Sequence, residues 1–145
     1  MPSLHTLIYN IPNVIFFQGF LEKRGVFLNI AGIIAEFNPL HNGHKYLIQQ
    51  ARKENDAVVA VMSGNFVQRG EAAIFEKHIR AKHALLAGAD AVIELPIPFA
   101  TSTAEIFAKG AIKILNSLPA FTHLCFGAET EDAKAFYDCA TILND

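Results

Sequence analysis

The chain has 145 residues, which is enough for one domain with a sizeable core, and 52% of its residues are hydrophobic. Its formal net charge of −2 excludes a globally basic nucleic-acid-binding protein, so any RNA contact must come from a local patch or from residues outside the chain. The two cysteines, Cys125 and Cys139, have no metal-binding or redox spacing. They indicate free thiols in a reducing compartment, and we expect a cytoplasmic protein.

Residues 1–28 form an apolar but interrupted leader. It lacks the basic start and the small-residue cleavage site of a signal peptide. Polar residues and Pro12 break its apolar run well short of the roughly 20 residues that a membrane span needs. We expect an irregular leader without membrane contact, with an extra strand, a packing arm or a misassigned start codon as alternatives. A nucleotide-binding catalytic domain is expected over residues 29–145.

Beyond the leader, buried strands alternate with amphipathic helices. Apolar runs predict strands over residues 29–37, 57–62, 91–95 and 122–126. Helical periodicity predicts helices over 44–53, 76–87, about 103–118 and 131–143. This alternation predicts an α/β fold with a doubly wound parallel sheet. Ligands of such sheets bind beyond the carboxyl ends of the strands, so we expect the segments 36–44, 63–70, 94–102 and 127–129 to face one crevice.

Two histidines, His41 and His44, flank Gly43 where the first predicted strand of the domain gives way to a helix. Free backbone N–H groups at the helix start favour an anion, and glycine lets the backbone approach it. Two imidazoles there would stabilise the charge on an α-phosphate under attack while pyrophosphate leaves. We therefore predict that both histidines are catalytic. A zinc pair and a purely structural helix cap are the alternatives, and since no third ligand is spaced for zinc, we expect no metal site.

Four sequence blocks carry a family resemblance: GIIAEFNPLHNGH at 32–44, SGNFVQRGE at 63–71, AGADAVIELP at 87–96 and FGAE at 126–129. The first block resembles the opening of the HIGH-motif nucleotidyltransferase superfamily. Together the four resemble the bacterial tRNA(Met) cytidine acetate ligase family, from about residue 30 onward. The second block is the most specific of the four. The resemblance implies a Rossmann-like nucleotidyltransferase fold.

The resemblance also implies an activity. Family members are AMP-forming ligases that use ATP to activate acetate as acetyl-adenylate, and we expect Mg²⁺ with the triphosphate. The acetyl group then passes to N4 of the wobble cytidine of elongator tRNA(Met), which makes acetate and this tRNA the expected partners. The implied ATP contacts are Ile34, Ala35, Glu36, Phe37, Asn38, Pro39, Leu40, His41, Asn42, Gly43, His44, Lys45, Tyr46, Leu47 and Gly127.

Family members are longer than this chain and begin close to the first strand. We therefore expect the catalytic domain to be truncated at its C-terminus, and tRNA acetylation by the chain alone does not follow from the resemblance. Two other functions stay open. One is a nucleotidyltransferase that acts on a small phosphorylated substrate, and the other is a nucleotide-binding fragment without turnover.

Further basic residues follow the second predicted strand of the domain. Gln68 and Arg69 lie in a loop bracketed by glycines, and Lys77 and Arg80 lie one turn apart on the next helix. These four could contact phosphate or tRNA, since arginine suits bidentate phosphate contacts. The alternative is a solvated loop followed by a solvated basic helix face.

The remaining candidates have structural alternatives of equal or greater weight. Glu36 ends a predicted strand, where it could bind ribose, position magnesium or cap a neighbouring backbone group. For Glu94 we favour a structural hydrogen-bonding role. The side chains of Phe107, Phe121 and Phe126 are predicted to lie in the core.

Overall fold

The computed structural model describes residues 14–17, 29–128 and 133–144. Strands and helices alternate through most of this range. In chain order they are β1 (Val14–Phe17), β2 (Ile30–Ala35), α1 (Asn42–Glu54), β3 (Ala57–Ser63), α2 (Lys77–Ala87), β4 (Ala91–Leu95), α3 (Ile97–Ala100), α4 (Ala104–Leu115), β5 (Phe121–Cys125) and α5 (Ala133–Asn144). A short 3₁₀ turn, Gln68–Gly70, lies between β3 and α2. The predicted α/β class is confirmed.

One five-stranded sheet, in the order β1-β4-β3-β2-β5, forms the centre of the fold. The four strands β2 to β5 are mutually parallel, as predicted. The edge strand β1 pairs antiparallel with β4, so the leader is not irregular at Val14–Phe17 and the extra-strand alternative applies there. The rest of the leader lies outside the described residues.

The parallel strands β2, β3 and β4 are largely buried because helices cover both faces of the sheet, whereas the edge strand β5 is mostly exposed, contrary to the buried strand predicted there. Alternate residues of β3 belong to two separate cores, Val58 and Met62 to one and Val59 and Val61 to the other. The first core lies under α1 and α2 and the second under α4. None of the helices within the described ranges is long and apolar enough to cross a membrane.

Several predicted details need correction. Phe107 is buried and Phe121 is half-buried, but the prediction of Phe126 as core is wrong, because 57% of it is exposed beyond the end of β5. Helix α3 was not predicted; it begins directly after Pro96, and Pro98 lies in its first turn, where a missing N–H breaks no helical hydrogen bond. Helix α5 is described only from Ala133, so the predicted start at 131 lies outside the described residues.

The strand order determines where ligands can bind. The chain moves from β2 outward to β3 and β4, then returns to place β5 on the other side of β2. Loops that leave β2 and β5 therefore diverge, and a crevice opens between them at their carboxyl ends. The predicted single crevice is wrong in one respect: the four predicted segments are shared between two separate cavities.

Candidate nucleotide-binding site

A cleft of about 680 Å³ lies between the ends of β2 and β5. Its size is typical of small-molecule sites, which run from roughly 300 to 1,000 Å³. Its walls are Ile34, Ala35, Glu36, Phe37, Asn38, Pro39, His41, Gly43, His44, Leu47, Phe126 and Gly127. Of the predicted ATP contacts, Leu40, Asn42, Lys45 and Tyr46 are not part of this wall, and Leu40 packs against the first core instead. The sequence did not identify Phe126 as a wall residue, because an aromatic residue at the end of an apolar run is typical of the core.

The two histidines build the start of α1. His41 is the N-cap residue, and its Nδ1 accepts hydrogen bonds from the backbone N–H of Gly43 at 3.1 Å and of His44 at 3.4 Å. In return, Nδ1 of His44 accepts from the backbone N–H of His41 at 3.4 Å. This is the reciprocal arrangement of a capping box, made here by two imidazoles. The capping alternative for these residues therefore describes part of their role.

Capping by Nδ1 selects the tautomer of both neutral rings. A ring nitrogen that accepts a hydrogen bond carries no proton, so each neutral imidazole keeps its proton on Nε2. The Nε2–H groups thus remain available as donors to a ligand. The rings of His41 and His44 stack with their centroids 3.7 Å apart, so the two donors lie side by side on the wall of the cleft.

Phe37 packs against the ring of His44. It is fully buried, and its ring meets that of His44 edge-on with centroids 5.1 Å apart. Its backbone has φ of 49°, a left-handed conformation that costs a residue other than glycine about 1–2 kcal/mol. Burial lowers the pKa of His44, and the neighbouring His41 lowers it further. His44 is therefore held as the neutral donor at neutral pH.

Arg80 lies beneath the cleft rather than in it. Its side chain is fully buried. Its Nε donates to the carbonyl of Phe75 at 2.9 Å, Nη1 donates to that of Glu36 at 2.6 Å, and Nη2 donates to those of Ser63 and Gly64. The structure contradicts both the predicted phosphate or tRNA contact of Arg80 and its alternative, a solvated helix face, because this buried guanidinium joins the ends of β2 and β3 inside the protein.

Glu36 connects the cleft to the Gln68–Gly70 turn. Its side chain borders the cleft, and its Oε1 accepts the backbone N–H of Gln68 at 2.9 Å. Two residues further on, Asn38 Oδ1 accepts the backbone N–H of Ile74 at 2.7 Å. The structure thus shows the backbone-capping alternative for Glu36. It also shows that residues 68–74 are fixed to the strand end that forms the cleft.

Lys77 at the start of α2 and Glu94 near the end of β4 form an ion pair, with Nζ and Oε2 2.7 Å apart. Both side chains are partly exposed. The structural role predicted for Glu94 agrees with this contact. Gly64 lies against the pair, and a Cβ placed there would come within 2.1 Å of Glu94 Oε1. The Lys77 ammonium is therefore occupied by a carboxylate, while Gln68 and Arg69 border a second cavity.

Metal binding by protein ligands alone finds no support in the described ranges. Within residues 14–17, 29–128 and 133–144, no group of three His, Cys, Asp or Glu side chains is arranged to hold a metal ion. Glu129 of the FGAE block lies outside those ranges.

Comparison with known proteins identifies the family. A family model described as HIGH Nucleotidyl Transferase matches residues 28–145. The chain belongs to this nucleotidyltransferase family. The match begins just before β2 and includes the histidines of the α1 cap.

Relatives of this HIGH nucleotidyltransferase carry a more specific name. Proteins named tRNA(Met) cytidine acetate ligase are 55% identical over 114 residues in Caldanaerobacter subterraneus subsp. tengcongensis and 50% identical over 118 residues in Acetivibrio thermocellus. These matches cover 77% and 80% of the chain and 28% of each relative. The chain thus spans less than a third of the length of these curated relatives. The resemblance found in the motif blocks is confirmed.

A solved structure shares the fold. The crystal structure of Thermotoga maritima TmcAL bound with alpha-thio ATP matches with a TM-score of 0.76 and 44% sequence identity. The match covers 80% of this chain and 29% of that chain. The Rossmann-like nucleotidyltransferase fold predicted from the sequence is therefore confirmed.

Proposed function

We propose that this chain is the ATP-binding, acetate-activating part of a tRNA(Met) cytidine acetate ligase. In this function acetate attacks the α-phosphorus of ATP, the bond to the β-phosphate breaks, and acetyl-adenylate and pyrophosphate form. The N4 amine of the wobble cytidine of elongator tRNA(Met) then attacks the acetyl carbonyl, and AMP leaves. The single observation that carries the proposal is the reciprocal cap of His41 and His44 on the cleft wall at the start of α1, which leaves Nε2 of each ring outside the cap.

The geometry fits a phosphate chain at this position. The positive end of the helix dipole favours an anion at the start of α1, where the cap already takes up the N–H groups of Gly43 and His44. Both imidazoles are held by their Nδ1 atoms before any ligand arrives, so their Nε2–H donors need no rearrangement. Preorganised donors stabilise charge that develops on the α-phosphate during attack, which is transition-state electrostatics rather than covalent catalysis.

Other wall residues suit the rest of the nucleotide. Ile34, Leu47 and Phe126 give the cleft an apolar lining on which a base and ribose can pack. Gly127 has open space around it, so the backbone there can approach the ligand closely. Mg²⁺ would be held mainly by the triphosphate oxygens and water, and it would supply neutralisation of the developing pyrophosphate charge.

The names of the relatives favour a ligase over a nucleotidyltransferase that joins a nucleotide to a small phosphorylated substrate. The relatives are named for acetate and for tRNA(Met), and the ATP analogue is named in the Thermotoga structure. Since the chain spans less than a third of the length of these relatives, recognition of the tRNA would also use parts of the protein beyond it.

Calorimetry and isotope exchange test the proposal in sequence. We expect the chain to bind ATP and to catalyse exchange between ATP and pyrophosphate that depends on acetate and magnesium. His41→Ala and His44→Ala should each lower the exchange rate by about 100-fold, which is the usual cost of removing one transition-state donor.

The outcomes separate the alternatives. ATP binding without exchange would overturn activation by this chain and support a nucleotide-binding fragment. A stable nucleotidyl product formed without acetate would support the small-substrate nucleotidyltransferase. A chain that binds no ATP at all would contradict each of the three functions.

A further inference from the structure

A second cavity of about 410 Å³ lies apart from the nucleotide cleft and shares no wall residue with it. It opens between the Gln68–Gly70 turn and the corner that joins α3 to α4. Its walls are Gln68, Arg69, Thr101, Ser102, Thr103, Ala104 and Ile106. Two loops that follow neighbouring parallel strands, β3 and β4, thus meet around a space of their own.

The polar groups on the walls of this cavity are either positively charged or neutral. The walls carry a guanidinium, a carboxamide and three hydroxyls, and no carboxylate. The Arg69 side chain is exposed, and in the described part of the chain no carboxylate forms an ion pair with it. A cation without a partner, next to groups that donate hydrogen bonds, favours an anionic ligand.

Hydrogen bonds to neighbouring residues hold both walls of this cavity in place. Glu36 Oε1 accepts a hydrogen bond from the N–H of Gln68 at 2.9 Å, and the carbonyl of Val67 accepts one from the N–H of Gly70 at 3.0 Å. On the opposite wall, Thr101 Oγ1 donates to the backbone carbonyl of Ile97 at 2.9 Å, and Ser102 Oγ donates to that of Pro98 at 2.6 Å. The cavity therefore does not depend on a ligand for its shape. The hydroxyl of Thr103, by contrast, makes no capping hydrogen bond, so it is able to donate to a ligand.

The space is larger than one phosphate group requires. Ala104 and the 44%-exposed Ile106 add an apolar side, on which a sugar or base can pack beside the anion. Glu36, whose carboxylate holds the turn, also borders the nucleotide cleft. A ligand at the second cavity thus lies next to the cleft in which its acceptor base would be modified.

We propose that this second cavity binds a backbone phosphate and adjoining sugar of single-stranded RNA, with Arg69 as the phosphate contact and Gln68 and Thr103 as further donors. The identification of the ligand as RNA rests on the proposed function. The shared chemistry is a phosphate group, which free phosphate could also supply, so the experiment includes both sources.

NMR on the isotope-labelled 145-residue chain reads the two sites separately. We titrate it with a six-nucleotide oligoribocytidylate, with inorganic phosphate and with ATP, and we follow the backbone amides of 68–70 and 104–106. We expect RNA to shift these amides in a saturable way, and more tightly than inorganic phosphate does. Arg69→Gln should weaken RNA binding roughly tenfold, as expected for a charged hydrogen bond. It should also reduce the slope of log affinity against log salt by about 0.7.

Lys113→Gln is the matched control, because Lys113 is an exposed cation at the other end of α4. Its RNA affinity should stay within about twofold of the unchanged chain. The proposal is overturned if RNA leaves the amides of 68–70 and 104–106 unshifted, or if Arg69→Gln binds RNA as the unchanged chain does. Equal affinity for inorganic phosphate overturns the RNA assignment. Shifts of the amides at 41–47 with ATP test the nucleotide cleft alone, so either proposal can fail without the other.

Discussion

The His41–His44 pair and Arg80, the basic side chains nearest the β2 end of the cleft, are held in opposite ways. His41 and His44 hold each other through backbone groups within a stretch of four residues, and their rings face the cleft. Arg80 lies buried below them and joins carbonyl groups that are far apart in sequence, from Glu36 to Phe75. The histidine pair leaves Nε2 of each ring outside its cap, whereas Arg80 donates its hydrogen bonds to backbone carbonyls of the protein itself.

This difference separates two requirements of a site on an α/β sheet. Groups that contact the ligand must keep free donors, so they are held from one side by short-range bonds. Groups that keep the strand ends in place must satisfy buried carbonyls, so they reach across several loops. A substitution of either histidine should therefore change binding more than stability, and a substitution of Arg80 should do the reverse.

The largest effect is expected for Arg80→Met. The change leaves the buried carbonyl groups of Glu36, Ser63 and Gly64 without their donor, and each such group costs about 1–3 kcal/mol. We expect the free energy of unfolding, measured in urea, to fall by at least about 3 kcal/mol. Lys82→Met on the exposed side of the same helix is the control and should stay within about 0.5 kcal/mol. A loss below 1 kcal/mol for Arg80→Met would mean that these carbonyls find other donors.

A smaller effect is expected for Glu36→Ala, which removes the acceptor of the Gln68 N–H. The cost should be about 1–2 kcal/mol in the free energy of unfolding. The more specific readout is hydrogen exchange, since the amide of Gln68 should lose its protection while those of β3 keep theirs. Unchanged exchange at Gln68 would show that the turn does not depend on this carboxylate.

Two substitutions at His41 separate its capping bond from its free donor. His41→Ala removes both, and we expect about 1 kcal/mol lower stability. His41→Asn supplies another good capping side chain without the Nε2–H donor, so its stability should match that of the unchanged chain. Calorimetry should show ATP affinity about tenfold lower in both variants. If His41→Asn bound ATP normally, the Nε2–H would have no role in binding.

The smallest effect concerns pH. Because the pKa of His44 is lower in the folded chain than the value of about 6.5 expected for the unfolded chain, protons bind the unfolded chain more readily. The resulting stabilisation is present above about pH 6.5 and is lost as the pH falls toward and through the lower folded-state pKa. An NMR titration of the His44 ring should give a midpoint below 6.5. A midpoint at or above 6.5 would contradict the burial of this ring against Phe37.

The sequence predicted what depends on neighbouring residues. Continuous apolar runs gave the four parallel strands, and Gly88 marked the end of α2, where it adopts φ of 120°. The histidine pair was placed correctly at the start of α1 because the capping bonds lie within four residues. Assignment of this turn to a nucleotide site stays a prediction.

What the sequence could not predict depends on contacts between distant residues. The burial of Arg80 follows from loops after β2 and β3 that converge only in the folded chain. The exposure of Phe126 follows from its position just past the end of β5. The two cavities share no wall residue, and the hydrogen bond from the Gln68 N–H to Glu36 joins a residue of one wall to a residue of the other. None of these contacts leaves a periodic signal in the sequence.

The position of β2 also bears on the order in which the fold can form. β2 pairs on one side with β3, where Ile30 faces Ala57, and on the other with β5, where the same residue faces Phe121. The first pairing closes a short loop, and the second must wait for most of the chain. During synthesis the histidine wall of the cleft can therefore assemble well before the wall that carries Phe126 and Gly127. A nucleotide that binds between them can stabilise the folded chain only after that last strand has docked.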